Sequence, residues 1–229
     1  MHVQSKMFHI ITRTWNPVTG CKHDCIYCWA RRLVELKLSK ISPKYMACGF
    51  RPTFHPNELK IKFKPYAFIF VADMGDLFGD WVPNSWIQEI LDYIENFPRT
   101  KFLFLTKNPV RYTEFDFPKN AWLGATIETD KDIGYTKISK APLPSVRINA
   151  MIDLKYPQKF ISIEPILNFT DNFHLLIKRI DPQIIYVGYD NYNNKLPEPR
   201  LAKTRNLIRQ LREYGFVVYE KSIRRAWYE

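Results

Sequence analysis

The chain has 229 residues, 46% of them hydrophobic, which is enough for the core of one domain, and no apolar run approaches the length of a membrane span. Its 34 Lys and Arg against 23 Asp and Glu give a formal net charge of +11, which points to an anionic partner, with a lysine-rich thermophile surface as the plain alternative. Met1 to Lys6 lacks the apolar stretch of a secretion signal, so a cytoplasmic location is expected and the four cysteines are expected to be reduced.

In chain order, Phe8 to Thr12 is predicted as a strand leading through Trp15-Asn16-Pro17 into the loop Gly20-Cys21-Lys22-His23-Asp24-Cys25-Ile26-Tyr27-Cys28. Three of the four cysteines fall there, spaced C-x3-C-x2-C, so their thiolates can converge on one soft metal centre. A structural zinc would want a fourth ligand, for which His9, His23 or Cys48 is on offer. Neither paired C-x2-C knuckles nor a C-x2-C with H-x3-H is present, however. A cubane iron–sulfur cluster anchored through three irons needs only these three cysteines and leaves its fourth iron open.

Trp29 to Leu38 has a helical pattern, and residues 39–65 read as an irregular, proline- and lysine-rich insertion. Ala67 to Ala72 is a continuous apolar run of the kind buried on both faces. Asn84 or Ser85 is predicted to cap a helix, with Ser85 and Gln88 at capping-box spacing and Trp86, Ile90, Leu91, Ile94 and Phe97 forming its apolar stripe. Strands at 102–106 and 122–126 follow, then a helix at 145–155 with Ile148, Met151 and Ile152 inward. A strand at 160–163 comes next, then a helix capped by Asp171, a strand at 184–187, a helix at 200–214 stopped by Gly215, and a strand at 216–219.

Seven strands alternating with helices predict an α/β fold, a single-domain TIM-barrel-like arrangement over residues 1–229 in which about seven parallel strands make a partial or closed barrel. An open doubly wound sheet is the other possibility, but no glycine-rich phosphate fingerprint recommends it. Such sheets build their sites at the carboxyl ends of the strands. Here those ends carry Asp73-Met74-Gly75-Asp76, Thr106-Lys107-Asn108, Thr126 with Glu128, Glu164-Pro165, Gly188-Tyr189-Asp190 and Glu220-Lys221, on the same rim as the cysteine loop. Taken singly, Asp73 or Thr126 reads as a cap or turn residue, and an ion pair between Lys107 and Glu164 accounts for both of those.

The C-x3-C-x2-C spacing with Tyr27 just before the last cysteine resembles the signature of the radical S-adenosylmethionine superfamily. The segments Trp15-Asn16-Pro17-Val18-Thr19-Gly20-Cys21, Met74-Gly75-Asp76-Leu77-Phe78, Leu105-Thr106-Lys107-Asn108-Pro109, Leu123-Gly124-Ala125-Thr126-Ile127-Glu128 and Ser162-Ile163-Glu164-Pro165 extend it. Together they resemble a phage-associated family of radical-SAM-like proteins that is similar to spore photoproduct lyase. The resemblance implies a [4Fe-4S] cluster on Cys21, Cys25 and Cys28, with S-adenosyl-L-methionine chelating the open iron and Tyr27 against its adenine. Asp73, Met74, Gly75 and Asp76 stand where the superfamily holds the cofactor's amino group, without its literal glycine-rich motif, and Thr126, Glu128 and Glu164 stand where ribose or carboxylate contacts are expected. It further implies one-electron reduction by an external donor such as ferredoxin or flavodoxin, cleavage of the cofactor's sulfur–carbon bond, and hydrogen abstraction by a 5′-deoxyadenosyl radical.

Spore photoproduct lyases use a cysteine outside the cluster motif as a hydrogen donor. Cys48 is the candidate for that role, beside Lys107 and Glu164 as candidate catalytic residues, and its plain reading is a small buried hydrophobe. For the substrate, Arg31, Arg32, Lys37, Lys40 and Lys44, then Lys60, Lys62 and Lys64, and finally Arg205, Arg209, Arg212, Lys221, Arg224 and Arg225 are interleaved with aromatics. That pattern points to DNA or RNA, although Arg205, Arg209 and Arg212 at helical spacing equally describe a solvated face. The competing function is a non-catalytic nucleic-acid-binding module whose cysteines hold zinc or a structural cluster.

Overall fold

Nine strands are present in the computed structural model, which describes residues 7–229: β1 (Arg13–Trp15), β2 (Val18–Thr19), β3 (Thr53–Phe54), β4 (Phe68–Val71), β5 (Lys101–Thr106), β6 (Ala121–Thr126), β7 (Lys159–Ile163), β8 (Ile184–Val187) and β9 (Val217–Glu220). Seven of them form one sheet in chain order, β1-β4-β5-β6-β7-β8-β9, while β2 and β3 make a separate antiparallel pair. Helices connect the strands, so the fold is α/β and of the partial TIM-barrel kind. Met1 to Lys6, where the absence of a secretion signal was expected, lies outside the described residues.

The chain divides into two compact units, one formed by the residues up to Asp24 together with Cys28–Leu123, the other by Cys25–Tyr27 and Gly124–Glu229. In the first, β4 pairs in parallel with β1, Thr14 opposite Phe70, and with β5, Phe70 opposite Leu103. All four residues of β4 are buried, as its unbroken apolar run requires of a strand covered on both faces. In the second unit β8 pairs in parallel with β7 and β9, Ile185 opposite Ile161 and Val218.

The first strand begins later than its apolar residues imply. Phe8 and Ile11 are fully buried, but the Ile11 N–H closes a turn onto the Phe8 carbonyl, and pairing starts where Thr12 exchanges hydrogen bonds with Phe68. The next helix runs from α1 (Trp29–Leu33) through a π turn (Val34–Leu38) into α2 (Ser39–Ile41), three residues past its predicted end. Residues 39–65 also hold α3 (Pro43–Met46) and a 3₁₀ turn (Pro56–Lys60), and β3 within them fastens this stretch to β2.

Helix α4 (Asn84–Glu95) buries Ile87, Ile90, Leu91 and Ile94, but the expected capping box is not made. Pro83 is the N-cap, Gln88 Nε2 donates to Asp92, and the Asn84 side-chain oxygen is taken by the guanidinium of the buried Arg111. In the second unit, α5 (Pro144–Asp153), α6 (Phe173–Ile180) and α7 (Leu201–Glu213) stand where helices were predicted, with Ile148 and Met151, Ile177 and Ile180, and Leu207, Ile208 and Leu211 inward. Asn172 rather than Asp171 precedes α6, and its side chain makes no capping bond. Among the described residues no helix is long and apolar enough to cross a membrane.

Candidate metal and cofactor centre at the cysteine loop

The loop is rooted by close backbone approach. Gly20 has φ +85°, and a Cβ there would lie 2.3 Å from the Arg51 carbonyl carbon and oxygen, so both its dihedral and its surroundings demand glycine. Gly20 forms a parallel bridge with Gly75, its N–H reaching the Met74 carbonyl at 2.9 Å; a Cβ on Gly75 would sit 2.8 Å from the Gly20 oxygen. Asn16 adds a side-chain clamp, its Oδ1 accepting the Met74 N–H at 3.0 Å and its Nδ2 donating to Asp73 Oδ1 at 2.6 Å. Burial raises the Asp73 pKa to about 6, against the lowering effect of the Asn16 and Thr14 hydrogen bonds. Asp73, Met74 and Gly75 therefore all touch the root of the cysteine loop or the residues that hold it.

Within the loop, His23 is buried and its Nε2 lies 2.9 Å from Asp76 Oδ2. Asp76 also accepts the Thr106 hydroxyl at 2.6 Å and the N–H groups of Lys107 at 2.9 Å and Phe78 at 3.0 Å. Burial pushes its carboxyl up, but donation from His23, Lys107 and Thr106 outweighs that and holds it below the usual carboxylate pKa. The His23 ring meets Trp81 edge to face at 4.8 Å between centroids, and the buried Trp81 Nε1 has no hydrogen-bond partner. Arg31 forms an ion pair with Asp24 in the same loop. Two sulfurs receive backbone donors: the His23 N–H points to Cys21 Sγ and the Arg31 N–H to Cys28 Sγ, each at 3.4 Å, Cys28 thereby capping α1.

The loop's middle residues belong to the second unit. Cys25 Sγ lies 3.1 Å from Ser139 Oγ, and the Ile26 N–H donates to the Ile138 carbonyl at 3.0 Å. Tyr27 donates its hydroxyl to Glu128 Oε1, which also accepts the Tyr135 hydroxyl at 3.1 Å. Glu128 Oε2 is ion-paired with Arg147 Nη1 at 2.6 Å, and both side chains are wholly buried. The same Nη1 donates to the Thr126 carbonyl, and the guanidinium lies over the Tyr135 ring, 4.8 Å from its centroid. Burial first, then the Glu128 charge, holds the Tyr27 phenol well above its usual pKa. Arg147 Nε and Nη2 remain buried without a partner.

Other expected site residues have different company. Glu164 makes the ion pair foreseen for it, but with Lys221 rather than Lys107; burial raises its pKa and Lys221 opposes the rise. The Lys107 N–H is spent on Asp76. Cys48 is buried, its thiol donating to the Lys44 carbonyl at 3.1 Å, as a small packed residue would. Several basic residues offered for phosphate binding are already neutralised: Lys44 by Glu58, Arg209 by Glu213, Arg212 by Glu220 and Arg224 by Glu198. Arg205 and Arg225 line an open cleft of about 430 Å³ with Leu201, Ala202 and Glu229.

None of the four cysteines is in a disulfide. Among the described residues no group of three or more His, Cys, Asp or Glu side chains is gathered as the ligands of a single metal ion. A cubane would not need such a gathering, since each of its three cysteines binds a different iron. Each of the three sulfurs has an N–H or O–H neighbour of the kind that tunes a thiolate ligand. His23, weighed from the sequence as a zinc ligand, is committed to Asp76. Arg147 and Ser139 were not anticipated; the one signal for Arg147 was its position four residues before Met151, on the face of α5 that turns inward.

A family described as a protein of unknown function (DUF5131) matches residues 6–190. No curated protein matches the chain. Among solved structures, a spore photoproduct lyase variant aligns at TM-score 0.60 and 12% identity over 96% of this chain and 79% of its own. Another, with bound AdoMet and dinucleoside spore photoproduct, aligns at TM-score 0.59 and 10% identity over 93% of this chain and 64% of its own. A radical SAM methyltransferase from Sphaerobacter thermophilus aligns at TM-score 0.54 and 13% identity over 94% of this chain and 67% of its own. At such identities the likeness establishes the fold.

Proposed function

The chain belongs to the DUF5131 family, and from that starting point we propose that it is a radical S-adenosylmethionine enzyme carrying a [4Fe-4S] cluster on Cys21, Cys25 and Cys28 and acting on a nucleic acid. The observation that carries this reading is the C-x3-C-x2-C loop, with three hydrogen-bonded thiols outside any disulfide, on the fold of a lyase structure with bound AdoMet. A cluster bound there would supply the single electron that cleaves the cofactor to methionine and a 5′-deoxyadenosyl radical. The chain's own residues bind and orient. Asp76 fixes His23 and so the loop between the first two cysteines, while Glu128 fixes Tyr27 beside the third. Asp73, bonded to Asn16 at the loop root, is a carboxylate able to meet a cationic amino group.

A nucleic-acid substrate is supported by the net charge of +11 and by the dinucleoside lesion bound in the related lyase structures. The test is anaerobic reconstitution with iron and sulfide, followed by dithionite and S-adenosylmethionine, with 5′-deoxyadenosine as the readout. Its formation, and its loss in Cys25→Ala, is the expected result. A protein that takes up zinc stoichiometrically, rejects iron and still binds oligonucleotides in a salt-dependent way would replace this reading with that of a binding module.

A further inference from the structure

The run of short helices that follows Cys28 carries exposed apolar side chains that packing does not explain. Leu36, Ile41 and Met46 are 63%, 62% and 61% exposed, and Leu33 is 36% exposed. They lie on α1, the π turn, α2 and α3, consecutive short helices packed on one another within the first unit. The wider π turn brings residues four apart into line, so Leu33, Lys37 and Ile41 form one row with Leu36 and Lys40 beside it. Val34, wholly buried, faces the other way. Among the described residues Lys37 and Lys40 are exposed and enter no ion pair, unlike Arg31 and Lys44 nearby, so even with the exposed Glu35 on the same turn the rim of the patch is net positive.

We infer that this face is the docking surface for an acidic one-electron carrier protein that reduces the cluster. The inference rests on the radical reading above, which requires an electron from outside. Its location follows from continuity. Cys28 is the N-cap of α1 and accepts the Arg31 N–H, and Leu33 lies only about 7 Å further along the axis at 1.5 Å per residue, so the patch begins one helix away from a cluster ligand. Its chemistry follows from composition. Aliphatic side chains and a methionine flanked by Lys37 and Lys40 suit a protein with an acidic rim, whereas a single-stranded nucleic acid is gripped by exposed aromatics, and none of the three most exposed apolar residues here is aromatic. In the transfer the carrier loses one electron and the cluster gains one, with no bond made or broken at the interface.

The test uses the full chain with and without its cluster, reduced flavodoxin as carrier, and two surface variants, Lys37→Glu/Lys40→Glu and Leu36→Asp. Bleaching of the cluster's visible absorbance is followed with flavodoxin and, separately, with dithionite, and binding of oxidised flavodoxin to the cluster-free chain is measured by calorimetry. The expected result is a fall of roughly tenfold or more in the flavodoxin-driven rate for the charge-reversed variant, most marked at low salt, with calorimetric binding weakened in parallel and dithionite reduction unchanged. Wild-type flavodoxin rates in both variants overturn the inference and leave the radical reading intact. So does a selective loss of oligonucleotide binding, which would give the face to the nucleic acid. A chain that assembles no reducible cluster overturns both readings.

Discussion

Replacing Glu128 by alanine tests the buried network behind Tyr27 most directly. The carboxylate is the ion-pair partner of Arg147 at 2.6 Å, both side chains are wholly buried, and Arg147 Nε and Nη2 already lack partners. Glu128→Ala leaves the guanidinium with only the Thr126 carbonyl and takes the acceptor from the Tyr27 and Tyr135 hydroxyls. Removing one partner of a buried pair costs about 3–5 kcal/mol, because the surviving charge is stranded without solvent. At about 2–4 °C per kcal/mol for a chain of this size, the melting temperature should fall by roughly 6–20 °C. Urea unfolding and thermal melts of the reduced, cluster-free protein measure it, so the result is independent of cluster loading. The double variant Glu128→Leu with Arg147→Met should recover most of the loss, since an apolar pair of similar volume is tolerated where a lone charge is not. A loss below about 1 kcal/mol for the single variant, or losses that simply add in the double, would show that Arg147 is solvated and the network is not the buried one described.

Gly20→Ala should destabilise the chain by at least about 2 kcal/mol and lower its iron content on reconstitution, because an L side chain at φ +85° is strained and its Cβ would collide with Arg51; wild-type urea stability would contradict this. Asp73, with its pKa raised by burial from 3.8 to about 6, holds its proton more tightly folded than unfolded. Its contribution is therefore present below pH 4 and lost as the pH rises through 6, up to about 3 kcal/mol in all, and Asp73→Asn should remove that part of the stability profile; an unchanged profile would refute the shift. Cys48→Ala should cost about 1 kcal/mol through the lost bond to the Lys44 carbonyl and leave uncoupled 5′-deoxyadenosine formation unaltered, whereas abolition of that reaction would place Cys48 at the cofactor.

What could be read from the sequence was what is local. The runs at 68–71, 101–106 and 184–187 are strands because unbroken apolar residues suit a sheet covered on both sides, and the stripe on α4 is buried because its spacing is helical. Where local signals competed with tertiary ones, the tertiary ones won. Phe8 and Ile11 look like strand residues, yet they are buried from a turn, since burial alone does not require pairing. Asn84 looks like a cap, yet Arg111, buried by its own aromatic surroundings, claims its oxygen. His23 looks like a metal ligand beside two cysteines, and only Asp76, fifty-three residues away, shows that its ring is already spoken for.

The same accounting separates the acidic residues that the sequence set side by side. A carboxylate has about four lone-pair positions. Asp76 fills its four with His23, Thr106, Lys107 and Phe78, and Glu128 divides its two oxygens among Tyr27, Tyr135 and Arg147. Asp76 cannot receive a ligand cation without giving up a bond that shapes the loop, and Glu128 already has its cation in the buried Arg147 guanidinium. Asp73 is held by Asn16 and Thr14, with the Lys44 charge a weaker influence, and burial still leaves its pKa raised, so a closer positive neighbour would stabilise its carboxylate. A cofactor ammonium at the end of β4 would thus be met by Asp73, and the price of its lone ionisation, the raised pKa, is what such a cation would remove; titrating S-adenosylmethionine against the Asp73→Asn variant should then show weakened binding, with Asp76→Asn instead losing stability before affinity.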